Sequence, residues 1–159
     1  MTFRIGIGYD THRLVDGLPL ILGGVKIESD RGAEGHSDAD TLTHAIVDAI
    51  LGAMCEGDIG LHFPDRDTKW KGASSLQLLA RVMWLAGEKG MQVVNIDSNV
   101  LLEQPKLRPY IQAIRESLAT VVGIDSTSIS IKAKTGEGMD AVGRGEAITA
   151  QAIVLMTHG

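Results

Sequence analysis

Aromatic side chains are scarce in this chain: two Phe, two Tyr and two Trp make up 4% of 159 residues. Its core must therefore be assembled from Val, Ile, Leu, Ala and Met. There is a single cysteine, Cys55, so no internal disulfide can form, which fits a reducing compartment. Cys55 follows an apolar segment and is expected to be a small buried residue rather than a catalytic thiol. No apolar run approaches the roughly 20 residues of a membrane span, which argues against a membrane partner. Met1-Thr2-Phe3-Arg4 leads directly into a strand pattern without the look of a signal or transit peptide. A bacterial cytoplasmic protein, or a plastid-type mature chain, is the expectation. Positive charge is also in short supply: 15 Lys and Arg against 20 Asp and Glu leave a net charge of −5. That excludes a global basic field for a nucleic-acid backbone but still allows a local pocket for a small phosphorylated ligand. No internal repeat, low-complexity tract or linker divides the chain, so one domain over 1–159 with a modest core is expected.

What the chain does have is a concentrated polar stretch, His36-Ser37-Asp38-Ala39-Asp40-Thr41-Leu42-Thr43-His44. Ser37 with Asp40 three residues later reads as a capping box, placing a helix start there. Apolar residues then recur at helical spacing through Leu42, Ala45, Ile46, Ala49, Ile50 and Met54. Asp40, His44 and Asp48 fall on one helix face. His36 stays on the loop before the helix, where outward backbone N–H groups favour anions.

Around it, period-2 alternation predicts a strand from Phe3 to Tyr9, ending in Asp10-Thr11-His12, with Asp10 and His12 projecting together. Leu18 to Ile27 reads as a strand pair about Gly23-Gly24, and Glu28 to Gly35 as a loop. Gly57 to Asp67 is a long irregular stretch, of a kind that is often functional. Helices are expected over Ser74–Lys89 and from Arg108 or Pro109 to Gly123, with strands over Val93–Leu102, Ser128–Lys134 and Ala147–Met156. This order predicts an α/β protein of the α+β type: two layers, a mixed β-sheet with helices on one face. The other sheet face needs cover, and self-association through it is the expectation.

Asp10, His12 and His44 would make a His₂Asp set, the ligand count of a catalytic zinc site with one open position. Asp40 and Asp48 are candidate carboxylate partners for a ligating histidine, Asp48 foremost; solvated helix residues are the alternative, as a hydrogen-bonded helix histidine is for His44. Lys132-Ala133-Lys134-Thr135-Gly136-Glu137-Gly138 places cations, a hydroxyl and flexible backbone after a strand. That combination suits phosphate, and Glu137 offers an oxygen ligand for Mg²⁺. Arg144 in Gly143-Arg144-Gly145-Glu146 is either a phosphate fork or half of a charged turn with Glu146.

Five stretches occur here in one order: Gly8-Tyr9-Asp10-Thr11-His12; His36-Ser37-Asp38-Ala39-Asp40 with His44; Gly57-Asp58-Ile59-Gly60-Leu61-His62-Phe63-Pro64-Asp65; Pro105-Lys106-Leu107-Arg108-Pro109; and Gly143-Arg144-Gly145-Glu146. Together they resemble the 2-C-methyl-D-erythritol 2,4-cyclodiphosphate synthases over almost the whole length. The resemblance implies a homotrimer of two-layer subunits, trimerising through the sheets, with active sites between neighbours. It implies a zinc-dependent phosphorus–oxygen lyase of the non-mevalonate isoprenoid pathway. That enzyme turns a cytidine diphosphate substrate, 4-diphosphocytidyl-2-C-methyl-D-erythritol 2-phosphate, into the cyclic diphosphate and CMP. By the same resemblance Asp10, His12 and His44 ligate zinc, His36 and Thr135 stabilise the transition state, and Glu137 holds Mg²⁺ or Mn²⁺ on the substrate diphosphate. Substrate contacts are implied for Asp10, Thr11, His12, His36 and Ser37. Asp58, Ile59 and Gly60, with Phe63, Pro64, Asp65, Arg66 and Asp67 on a lid, would meet the methylerythritol part. Leu102, Glu103, Gln104, Pro105, Lys106, Leu107 and Arg108 would hold the cytidine part. Lys134, Thr135, Gly136 and Glu137 would meet the phosphates, and Ala141 and Arg144 would lie near a threefold cavity.

Four positions, in three places, depart from the resemblance. Lys134 stands where a small hydroxyl residue is common, Asp140-Ala141 where a glycine and a bulky aromatic are frequent, and Tyr9 in place of a frequent Phe. The second departure bears on ligand binding in the threefold cavity more than on the chemistry. Two other functions use the same features: a metal-dependent phosphohydrolase, and a trimeric module that binds an isoprenoid phosphate or nucleotide.

Overall fold

A computed structural model describes residues 2–64, 66–70 and 72–159. The chain builds β1 (Phe3–Asp16), the hairpin β2 (Leu20–Leu22) and β3 (Val25–Ile27), and β4 (Arg31–Ala33). Helix α1 (Thr41–Met54) and the single turn α2 (Ile59–His62) follow. Then come α3 (Ser75–Glu88), β5 (Met91–Leu101), α4 (Ile111–Val122), β6 (Ile129–Lys134) and β7 (Ala147–His158). Five strands form one mixed sheet in the order β4-β1-β7-β5-β6, parallel only between β5 and β6. The helices pack on one face of it, so the expected two-layer arrangement holds.

The contact between layers is set by two glycines. In β1 the large apolar side chains Phe3, Ile5, Ile7 and Tyr9 are 55–71% exposed, while Gly6 and Gly8 face inward. A Cβ on Gly8 would lie 1.8 Å from the Ala45 carbonyl oxygen, and one on Gly6 1.7 Å from that of Ala49. The α1 backbone therefore lies directly on the β1 backbone. Two strand residues advance about 6.6 Å and four helix residues about 6 Å. The alanine series 45, 49 and 53 thus stays in step with the strand, running antiparallel to it. One more step along β1, at Asp10, arrives opposite the first turn of α1. The helix is buried almost all round, between β1 and β7 on one side and α3 on the other. Beyond it, Ile96, Val100, Ile129, Ile148, Val154 and Met156 of the sheet meet Leu79, Val82, Ile114 and Leu118 of the helices.

Several local expectations change. Strand β1 does not end at Asp10–His12: it pairs with β7 through Arg13 and then with β4 from Leu14 to Asp16. The segment expected as a loop over Glu28–Gly35 supplies β4, a three-residue edge strand too short to show alternation. Helix α1 begins at Thr41, not behind Ser37. Its N-cap is Asp40, fully buried, whose carboxylate accepts from Thr43 N (3.0 Å), Thr43 Oγ1 (2.8 Å), Gly23 N (3.0 Å) and Gly24 N (2.8 Å). One side chain thus caps the helix and holds the β2–β3 turn, whose two glycines take φ values of 56° and 74°. Cys55 is exposed instead of buried. It is the left-handed C-cap of α1 (φ 61°), which turns its thiol outward to accept from the Arg4 guanidinium at 3.3 Å. The irregular stretch after it contains α2, capped by Asp58. Pro109 sits in a 3₁₀ turn, Arg108–Tyr110, that feeds α4.

Two substitutions test this frame by thermal unfolding followed by circular dichroism. Gly8→Ala is expected to cost at least about 3 kcal/mol, because both clashing partners are backbone and neither can retreat. Asp40→Ala is expected to cost about 3 kcal/mol through one lost cap and the buried donors left unpaired. Gly87→Ala, within α3, where a Cβ meets nothing within 4 Å, is the contrast and should not destabilise.

Candidate metal centre

Asp10 and His12 point to the helix side of β1, and His44 descends onto them from the first turns of α1. Asp10 Oδ2 lies 2.9 Å from His12 Nε2 and 3.1 Å from His44 Nδ1, and the two ring nitrogens are 3.3 Å apart. A tetrahedral ion with ligand bonds of about 2.0–2.2 Å separates its donor atoms by about 3.3–3.5 Å. The three observed separations are within a few tenths of an ångström of that triangle. The side chains are 24%, 16% and 11% exposed, so one side of the triangle remains open to a ligand.

Hydrogen bonding shows why a cation suits the set. His12 Nδ1 is 2.9 Å from the Glu34 carbonyl oxygen, which can only accept. A proton is therefore on Nδ1, so Nε2 is the ring nitrogen free to ligate an ion, or, with no ion bound, to carry a second proton toward Asp10. Burial alone would raise the Asp10 carboxyl. The hydrogen bonds and charge of His12 and His44 outweigh it and hold the group below the ordinary aspartate value. Burial would likewise lower His12, but Asp10 and the Glu34 carbonyl raise it above the usual histidine value. Each member is held by attraction to the others, and a shared divalent ion supplies that attraction without a proton.

The neighbouring aspartates divide differently from the sequence expectation. Asp48 does not reach His44: its carboxylate accepts from Ile59 N at 2.7 Å, tying the start of α2 to α1. Burial raises the pKa of its carboxyl above the ordinary aspartate value, against the Ile59 hydrogen bond, and the charges of Asp58 and Asp10 add to the rise. The His44 Nε2 atom instead meets Ser75 Oγ at 2.8 Å and Ser37 Oγ at 3.1 Å. Neither the Glu34 carbonyl nor Ser75 carried a sequence signal, since one is backbone and the other lies 31 positions from His44.

The remaining candidates fall into two groups. Near the centre, His36 is exposed on the loop ahead of α1, and Thr11 bonds Thr149 on the outer sheet face. Asp58 caps α2 with Leu61 N at 2.9 Å, and Ile59 and Gly60 lie in that turn. Phe63 is buried against Trp70, edge to face at 4.9 Å. Pro64 is half-buried, Arg66 is exposed, and Asp67 accepts from Lys69 N. Asp65 lies outside the described residues.

The second group is centred on the segments that follow β5 and β6. Lys106, Leu107 and Arg108 line a groove of about 640 Å³ with Ile131 and Ala133. Glu103 accepts from Gly136 N at 3.0 Å, joining the loop after β5 to the loop after β6, and Thr135 Oγ1 donates to Glu137 Oε1 at 2.7 Å. Leu102 is buried, and its N–H donates to the carbonyl of exposed Lys134. Gln104, Pro105 and Arg144 share a groove of about 600 Å³, where Arg144 pairs with Glu146 at 3.0 Å as a charged turn would. Ala141 sits beside His12 and Glu146 in a third hollow. Asp10, Ala150, Val100 and Ala133 occupy one rung across β1, β7, β5 and β6. Three inter-strand steps of about 4.8 Å therefore place Ala133, two residues ahead of Thr135, about 14 Å from Asp10.

The YgbB family profile matches residues 3–157. Over 156 residues, 98% of each chain, the protein is 54% identical to the 2-C-methyl-D-erythritol 2,4-cyclodiphosphate synthase of Synechococcus elongatus. Among solved structures, a CDP-bound 2-C-methyl-D-erythritol 2,4-cyclodiphosphate synthase superposes with a TM-score of 0.90 at 40% identity, covering 97% of this chain and 100% of that one. The bifunctional IspDF of Campylobacter jejuni superposes with a TM-score of 0.95 at 37% identity, covering 99% of this chain and 43% of that longer one.

The geometry sets a direct test. Protein dialysed against a weak chelator should retain one divalent ion per chain by elemental analysis, and His44→Ala should retain none while keeping its circular dichroism spectrum. Equal metal content in the two would show that the triangle is not the binding site.

Proposed function

The chain belongs to the YgbB family, and on that premise we propose that it is a 2-C-methyl-D-erythritol 2,4-cyclodiphosphate synthase acting in isoprenoid biosynthesis, the whole span working as one catalytic domain. The observation that carries the proposal is the triangle of Asp10, His12 and His44, a donor set that fits zinc and leaves a position for a phosphate oxygen. The substrate is 4-diphosphocytidyl-2-C-methyl-D-erythritol 2-phosphate. Its 2-phosphate oxygen attacks the β-phosphorus, the bond from that phosphorus to the bridging oxygen breaks, and CMP leaves with the electron pair. The attacker belongs to the substrate, so the protein needs no nucleophile, and among the described residues only the metal triangle forms such a ligand cluster.

Zinc held by Asp10, His12 and His44, and Mg²⁺ or Mn²⁺ held on the diphosphate with Glu137, supply Lewis acidity and neutralise charge on the phosphoryl oxygens. The side chains do the rest by alignment. His36 and Ser37, on the loop ahead of α1, meet the equatorial oxygens from one side, and Thr135 with the backbone of Gly136 from the other. The segment Leu102–Arg108 holds the cytidine, and residues 58–60 and 63–67 cover the methylerythritol.

Asp10 and the Thr135–Glu137 loop must meet one diphosphate, and the rung from Asp10 to Ala133, two residues ahead of Thr135, spans about 14 Å, a long reach within a chain. This supports a site shared between neighbouring copies in a homotrimer. The exposed apolar face of Phe3, Ile5, Ile7, Tyr9 and Ile153 supports assembly through the sheets, since monomers rarely leave so large an apolar patch in water. No helix of the described residues is long and apolar enough to cross a membrane; the single cysteine and acidic charge fit work in a bacterial cytoplasm or a plastid.

Incubation with the substrate should release CMP and give the phosphorus NMR signature of a cyclic diphosphate. Free phosphate would instead indicate a hydrolase, and tight binding without CMP release a binding module. Glu137→Gln should raise the Mg²⁺ concentration needed for half-maximal rate by about tenfold; an unchanged titration would remove Glu137 from that role.

A further inference from the structure

Asp38, the central residue of His36-Ser37-Asp38-Ala39-Asp40, has no part in the reaction described above, and neither has Ser75. Ser75 is the first residue of α3 and is fully buried. Its hydroxyl touches two groups: His44 Nε2, at 2.8 Å, and Asp38 Oδ1, in a very short hydrogen bond. Asp38 also accepts from Ser75 N at 2.9 Å and from Asp40 N at 3.3 Å.

Donor and acceptor roles along this chain follow from one end. A carboxylate only accepts, so the Ser75 hydroxyl proton points to Asp38. The Ser75 oxygen then offers its lone pair to the ring, and the His44 proton must be on Nε2. That leaves Nδ1 unprotonated, 3.1 Å from Asp10 Oδ2 and 3.3 Å from His12 Nε2, where a ligating lone pair is needed. Ser37 Oγ is a longer second contact for the same ring nitrogen and already accepts from Ala39 N. The Ser75 backbone N–H alone would anchor α3 to Asp38; the hydroxyl is additional, and it is directed at His44.

We propose that Asp38 and Ser75 are positioning residues for a divalent metal ion: they set the tautomer of His44 and aim its Nδ1 at the site formed with Asp10 and His12. The inference rests on reading those three residues as metal ligands. It assigns the work of the central aspartate to a residue on another helix, reached across the interface of α1 and α3.

The test compares metal-free unmodified protein with Ser75→Ala and Ser75→Thr. Zinc affinity is measured by competition with a chromophoric chelator, and the ligand field by the visible spectrum of the cobalt(II)-loaded forms. Ser75→Ala is expected to weaken zinc binding about 10–100-fold and to alter the cobalt spectrum, while the metal-free protein keeps its circular dichroism spectrum and a cooperative unfolding transition, because the Ser75 N–H anchor to Asp38 remains. Ser75→Thr restores the hydroxyl and should restore both affinity and spectrum. Unmodified affinity and spectrum in Ser75→Ala would overturn the inference while leaving the metal site standing. An unmodified protein that binds no ion, or whose His44→Ala variant binds equally well, would overturn the metal reading and this inference with it.

Discussion

Everything in the site depends on one backbone contact, the seating of α1 on β1 through Gly6 and Gly8. Any side chain at those two positions would push the helix outward by the thickness of a methyl group or more. His44 would rise with it, and the triangle of nitrogen and oxygen atoms, whose sides are 2.9–3.3 Å, would open beyond the reach of a single ion. The same contact explains the strand's unusual orientation. The glycines take the inside because the helix needs the room, so Phe3, Ile5, Ile7 and Tyr9 are left outside. A requirement of the metal centre thus produces the exposed apolar face that assembly would cover.

The site also shows how a buried polar constellation is kept in one state. Asp10 is held low by two histidines, and His12 is held by a backbone carbonyl. The ring of His44 rests on a hydroxyl that is itself committed to a carboxylate. Each ligand thus has its free valence directed inward by a partner that cannot reverse roles. Asp40 plays the equivalent part for the fold, with four donors on one carboxylate joining the hairpin turn to the helix that carries His44. The polar stretch ahead of α1 is therefore divided: Asp40 builds the helix start, Asp38 reaches α3, and His36 and Ser37 remain on the loop side.

Much of this was legible in the sequence where a pattern is local. Helical spacing placed both ends of α3 to within a residue and the C-terminal ends of α1 and α4 likewise, their starts lying two to three residues later than expected, and the alternation of Ile148, Ala150, Ala152, Val154 and Met156 matches the buried face of β7. Asp10, His12 and His44 could be grouped by residue type and are grouped in space. What failed was non-local. The end of β1 was hidden because its partner, β4, is three residues long. The capping role moved from Ser37 to Asp40 because the Gly23–Gly24 turn supplies two further donors. Asp48 lies on the face of His44 but is taken by Ile59, while Ser75 arrives from another helix. Cys55 follows an apolar helix and so reads as core, but a left-handed cap turns it to solvent.

The most direct test of the account is a crystal structure of the zinc-loaded protein with anomalous scattering measured at the zinc edge. A single peak per chain at about 2.0–2.2 Å from Asp10 Oδ2, His12 Nε2 and His44 Nδ1, with its open side facing Thr135 and Glu137 of a neighbouring copy, is the expected result. A peak bound elsewhere, or none, with the three side chains in direct contact as here, would contradict it.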